Sequence, residues 1–148
     1  VGVDGCTDYV LCSSPREVCV IGHNEDNAKY DKNHTFLLRT QHFRAFTYMG
    51  NIPSTAFGYN RHGLGFTLNW LGPRATVAGG LGRGFISRWM LDAESMDELY
   101  RRATANGQAT GHNLQLFKVP QNKTDDIPLL LHDMPLLLNV ELAPGGGG

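Results

Sequence analysis

Long apolar runs are missing from this chain: nowhere do about 18 apolar residues follow one another, so no bilayer-spanning helix is expected. An excess of one charge is missing too. The 13 Lys and Arg residues against 14 Asp and Glu leave a formal net charge of −1, too even a balance to select nucleic acid or an anionic membrane as a partner. Cysteine is sparse. Cys6, Cys12 and Cys19 form an odd set without a CxxC pair, which argues against a disulfide framework or a zinc knuckle and for reduced thiols in a cytoplasmic protein. The six histidines include no HExxH pair, and the glycine run at 79–84 lacks the Lys-Ser/Thr ending of a phosphate loop. Neither a metal nor a cofactor is expected. Val1-Gly2-Val3-Asp4-Gly5 has neither the basic nor the apolar stretch of a signal peptide.

What is present is a globular composition, with 41% hydrophobic and 18% charged residues in 148 positions, the size of one domain around one core. Short β-branched or alternating runs at 7–12 and 18–22, at 36–40 and 43–49, and at 56–59 and 64–70 are separated by turn-forming residues and predict three hairpins. In the third, Asn60 and Gly63 are the candidates for the positive φ of a tight turn. Residues 72–84, rich in glycine, predict a loop. Phe85, Ile86, Trp89, Met90 and Ala93 recur at helical spacing, and Ser95 with Glu98 reads as a capping box opening a second helix that stops at Asn106-Gly107. Strand character returns at 114–119 and 136–142, on either side of a polar segment at 121–135. Clustered strands with an inserted helical pair predict an α+β layered fold rather than a nucleotide-binding βαβ fold.

Cys6 is the candidate nucleophile, although on residue type alone a lone cysteine is more often an inert core residue. By the same measure Asp26 reads as a turn cap, Asn69 as the end of a strand and Thr7 as an ordinary strand residue. The wider context changes the weighting. Gly5-Cys6-Thr7-Asp8-Tyr9, Gly22-His23-Asn24-Glu25-Asp26, Ala56-Phe57-Gly58-Tyr59-Asn60-Arg61-His62-Gly63-Leu64, Phe85-Ile86-Ser87-Arg88 and Asn139-Val140-Glu141-Leu142-Ala143-Pro144 resemble, in order and spacing, the penicillin acyltransferase-like family of N-terminal-nucleophile enzymes. The Gly-His-Asn-Glu-Asp form is closer to the animal members, which hydrolyse β-alanyl amines.

The resemblance implies an αββα sandwich, seen here in part, and a precursor that cuts itself between Gly5 and Cys6. Residues 1–5 would then be the end of a propeptide, 6–144 a partial catalytic domain and 145–148 a glycine tail. It implies that Cys6 is the nucleophile and that its freed α-amino group is the base, since a thiol at its ordinary pKa is mostly protonated near neutrality. Asp26 would orient that amine, with Asn24 bracing it, Asn69 would donate to the oxyanion and Thr7 would assist self-cleavage. The implied partners are a small N-acyl amine substrate, β-alanyl-dopamine being one example, and the other half of the cleaved precursor. The family's Thr-Asn-His element, which follows the Asn-Val-Glu-Leu-Ala-Pro stretch, is not reached before Gly148, so the expectation is of a fragment. Two alternatives stay open: an acyl-CoA-dependent N-acyltransferase, and a truncated non-catalytic paralogue that binds a ligand or partner.

Overall fold

A strand that carries its large apolar groups on one side must be covered on that side, and the alternation in 43–48 and 64–71 therefore decides the architecture. The computed structural model describes residues 5–13, 19–119 and 136–145. β1 (Thr7–Cys12) and β2 (Cys19–Asn24) form an antiparallel hairpin in which Thr7 faces Asn24 and Cys12 faces Cys19. The strands β3 (Thr35–Arg39), β4 (Phe43–Tyr48), β5 (Phe57–Asn60), β6 (Leu64–Leu71), β7 (Gly111–Lys118) and β8 (Leu136–Leu142) form one six-stranded antiparallel sheet in chain order. Between β6 and β7 in sequence come α1 (Arg83–Met90) and α2 (Met96–Ala103).

One face of the large sheet, with Phe43, Ala45, Leu64, Phe66, Leu68, Leu114 and Leu116, packs on Ile86 and Met90 of α1 and Leu99 and Ala103 of α2. On the other face Tyr59, Phe117 and Leu137 meet Val10 and Ile21 of the hairpin. The molecule is thus a mixed α/β, mostly antiparallel fold with few helices, layered as helices, sheet and hairpin. A second helical layer is not found among the described residues.

The three expected hairpins are present, with strand ends displaced by at most two residues. β7 begins earlier than the apolar pattern indicates, because Trp70 and Leu71 extend β6 and pair with His112 and Gly111. A partner strand overrides weak local propensity there. Of the two candidates in the β5–β6 turn, Asn60 and Gly63, only Gly63 takes a positive φ, +74°, where a Cβ would also meet the Val119 carbonyl. Asn60 serves differently from its expected role. Its Oδ1 accepts from the N–H groups of His62 and Leu64, and its Nδ2 donates to the carbonyls of Leu91 and Ala93, tying the β5–β6 turn to the link between the helices. Ser95 caps α2 by accepting from the Glu98 N–H at 3.2 Å, but Glu98 reaches back to the N–H of Glu94 rather than that of Ser95. Residues 72–84 are largely irregular as expected, except that α1 starts already at Arg83. All but Ser13 of the expected turn at 13–17, the polar segment at 121–135, residues 1–4 of the expected propeptide end and the tail at 146–148 lie outside the described residues.

The expectation of reduced thiols is corrected at Cys12, which is disulfide-bonded, whereas Cys6 is free. No described helix is long and apolar enough to cross a membrane.

His112 is buried beneath the helices, and burial, with the Arg83 charge adding to it, pushes its pKa down to about 4 from an ordinary 6.5. The unfolded chain therefore takes up this proton first as the pH falls, so the neutral ring's contribution is intact above 6.5 and is lost progressively toward about 4. In urea denaturation across that window, the parent is expected to lose on the order of 2–3 kcal/mol relative to His112→Leu. Parallel curves for the two proteins would refute this.

Candidate active site

The period of two along a strand places Cys6, Asp8 and Val10 on the inner face of the hairpin, and the register sets His23 opposite Asp8 and Ile21 opposite Val10. Cys6 and Glu25 lie one step beyond the paired residues Thr7 and Asn24 on this same side. The result is a chain of polar contacts beneath the hairpin. The Cys6 thiol donates to Glu25 Oε2 at 3.1 Å, and the same oxygen lies 2.8 Å from His23 Nε2. His23 Nδ1 is 2.7 Å from Asp8 Oδ1. Asp8 Oδ2 in turn accepts from Thr67 Oγ1 at 2.8 Å and from Asn69 Nδ2 at 2.7 Å, both on β6. Glu25 Oε1 accepts from the Tyr48 hydroxyl at 2.5 Å. Phe57 packs edge-on against the His23 ring.

Only 5% of the side chains of His23 and Asp8 and 20% of that of Glu25 is exposed, so these charges interact in a largely water-excluded place. Burial alone would discharge His23. The carboxylates of Asp8 and Glu25 prevail and lift its pKa to about 9, making it an imidazolium that donates to both. Burial likewise raises Asp8 and Glu25, but hydrogen bonds outweigh it: His23, Thr67 and Asn69 hold Asp8, and His23, Tyr48 and Cys6 hold Glu25, below the usual carboxylate range. For Cys6, burial and then the Glu25 carboxylate push the thiol up to about 11, while the backbone N–H of Asp26 works in the opposite direction. Burial and the bond to Glu25 also raise Tyr48, which stays a donor.

The sulfur opens on a pocket of about 180 Å³ whose walls include Gly5, Asp26, Thr55, Trp70 and Arg83. At Gly5, on the pocket wall, an added Cβ would meet nothing within 4 Å. Of the residues expected from sequence, Cys6, Gly5 and Asp26 come together at this pocket. Asn24 Nδ2 donates to Asp26 Oδ1 at 2.9 Å in an exposed contact. Thr7 is exposed on the outer face of β1, away from the sulfur. Asn69 is not on the pocket wall; its amide is committed to Asp8 and, at 3.4 Å, to Asn113. Asp8, His23, Glu25, Tyr48, Thr67 and Arg83 were not legible as site residues. For Asp8 a signal existed, since it shares the parity of Cys6 in one strand.

Residues 13–124 match the family model of acyl-coenzyme A:6-aminopenicillanic acid acyl-transferase. The chain belongs to this family. The matched stretch holds Glu25, Asp26, Asn69 and Arg83, and the fold brings Cys6 to it from outside. Over 112 residues the chain is 24% identical to the beta-alanyl-dopamine/carcinine hydrolase of Drosophila melanogaster, an alignment that covers 66% of this chain and 28% of that protein. The chain thus spans well under two thirds of that relative's length. No solved structure matches it.

Proposed function

We propose that this acyl-transferase family chain is part of a self-processing cysteine N-terminal-nucleophile enzyme that hydrolyses a small N-acyl amine, with an αββα sandwich as its complete fold. The observation that carries the reading is the Cys6 sulfur, free, next to the Gly5 carbonyl and hydrogen-bonded to a carboxylate at 3.1 Å. A thiol raised to about 11 supplies almost no thiolate near neutrality, so its proton must leave as the sulfur attacks. Glu25 Oε2 is the acceptor already in place. Held at low basicity, it carries the proton rather than storing it.

In this mechanism Sγ adds to the Gly5 carbonyl carbon and the thiol proton passes through Glu25 to the Cys6 nitrogen. The C–N bond breaks to give a thioester and a free amine, and water then hydrolyses the thioester to the Gly5 carboxylate and the Cys6 thiol. The released α-amino group, with an ordinary pKa near 8, becomes the base for later turnovers. Asp26, braced by Asn24, is the carboxylate at the pocket that would orient it. Asn69 is proposed as a positioning residue acting through Asp8, and an oxyanion role would require its amide to leave that partner; Thr7 would assist only if it moved toward the sulfur. In turnover Cys6 takes the acyl group of the substrate, its amine leaves protonated, and water releases the acid.

A β-alanyl amine is the proposed substrate, on the strength of the Drosophila relative's name. Transfer of the acyl group to a second amine, as the family's name describes, is the alternative. The test is intact mass with N-terminal sequencing of the expressed chain beside Cys6→Ala. Loss of the segment ending at Gly5 from the parent alone is the expected result. An uncut parent would favour a non-catalytic paralogue.

A further inference from the structure

We propose that Cys6 Sγ, His23 Nε2 and Glu25 Oε2 form a binding site for a zinc-class divalent cation. These three atoms lie within 4.8 Å of one another. Tetrahedral zinc, with bonds of about 2.0–2.3 Å, places its ligand atoms roughly 3.3–3.7 Å apart. Glu25 Oε2 is 2.8 Å from His23 Nε2 and 3.1 Å from Cys6 Sγ, spacings shorter by a few tenths of an ångström because protons rather than an ion now bridge them. One sulfur, one imidazole nitrogen and one carboxylate oxygen suit zinc; magnesium and calcium select all-oxygen sets.

The surroundings strengthen the assignment. A metal-bound histidine almost always gives its other ring N–H to a carboxylate, a backbone carbonyl or a water, and here His23 Nδ1 is 2.7 Å from Asp8, itself anchored by Thr67 and Asn69. The second oxygen of Glu25 is held by Tyr48. The histidine and the carboxylate are thus oriented from behind, and the pocket in front of Cys6 has room for water as a fourth ligand. Binding expels the Cys6 thiol proton and the proton between His23 and Glu25 to solvent, and the cation replaces them. Sequence spacing does not reveal the site, because its donors come from the two ends of a hairpin rather than from one helix. Bound zinc would occupy the sulfur lone pair needed for attack on Gly5 and so hold the chain uncut; this corollary alone rests on the function proposed above.

The test uses the intact chain, with cobalt(II) as optical probe and zinc affinity measured by competition with a chromophoric chelator. One cation per chain is expected, with the strong visible absorption of tetrahedral cobalt and a sulfur-to-cobalt charge-transfer band. Cys6→Ala should abolish that band and weaken zinc binding at least tenfold, and His23→Gln should weaken it similarly. Tyr48→Phe, which leaves all three ligands in place, should retain the band and weaken zinc severalfold. A folded parent chain that retains no zinc, or a Cys6→Ala protein with unchanged affinity, would overturn the proposal. Zinc binding by a chain that never cleaves would sink only the proposed function, and cleavage by a chain that binds no zinc would sink only this inference.

Discussion

Glu25→Gln is expected to slow cleavage between Gly5 and Cys6 by about a hundredfold or more, the usual range for loss of a positioned proton acceptor. Glutamine keeps the size of the side chain and can still accept from Tyr48, so the pocket survives. What it lacks is the capacity to take the thiol proton during attack. Removing this carboxylate also removes one cause of the raised thiol pKa, which leaves slightly more thiolate and works against the slowing. The two effects differ in size, since a modest gain in thiolate does not replace a proton path. Quantifying cut and uncut chains by mass over time separates them: unchanged kinetics in Glu25→Gln would exclude Glu25 as the carrier. Asp8→Asn, two residues further along the contact chain, should slow cleavage less, because it disturbs the orientation of His23 and not the sulfur's own partner.

The largest effect on stability is expected at a residue with no part in the chemistry. Asn60 is 5% exposed and joins two N–H groups and two carbonyls from separate parts of the chain. Asn60→Asp preserves its shape and its acceptor role toward His62 and Leu64 but replaces the donor with an oxygen facing the carbonyls of Leu91 and Ala93. A buried carboxylate without a donor there should cost about 3–5 kcal/mol. The loss should shrink at acid pH, where the protonated form donates once more. Asn60→Ala, which leaves all four groups without this partner but adds no buried charge, should cost less near neutrality. Equilibrium urea denaturation of the three proteins checks the order; if Asn60→Asp proved milder than Asn60→Ala at neutral pH, the four contacts would not act as described.

Asn60 shows why part of the fold was legible and part was not. The Asn-Arg-His-Gly sequence marks a turn through its composition alone, and the turn is there, closed by Gly63. Whether the asparagine side chain points outward or bridges to the α1–α2 link depends on where that link lies, 31 residues later for the Leu91 carbonyl. Local spacing carries no information at that range. The helices were readable for the complementary reason: the apolar spacing of 85–93 and the Ser95 cap are local patterns, although sheet packing buries only Ile86, Met90 and Ala93 of that spacing and leaves Phe85 and Trp89 exposed.

The same division runs through the site. Local patterning by itself predicted an α+β domain of short antiparallel strands with two inserted helices, whereas Cys6 beside Gly5, and Asp26 with it, were singled out by the resemblance to the family. Tertiary structure decided which neighbours of Cys6 face the sulfur. Along a strand adjacent side chains point to opposite faces, so a one-residue difference in register exchanges His23 and Glu25 for Asn24 and Asp26. Pairing of β1 with β2 settled that choice, and packing of the hairpin on β6 brought Thr67 and Asn69 to Asp8 from 59 and 61 residues away. The two carboxylate contacts that keep the buried His23 a cation exist only once those layers have closed.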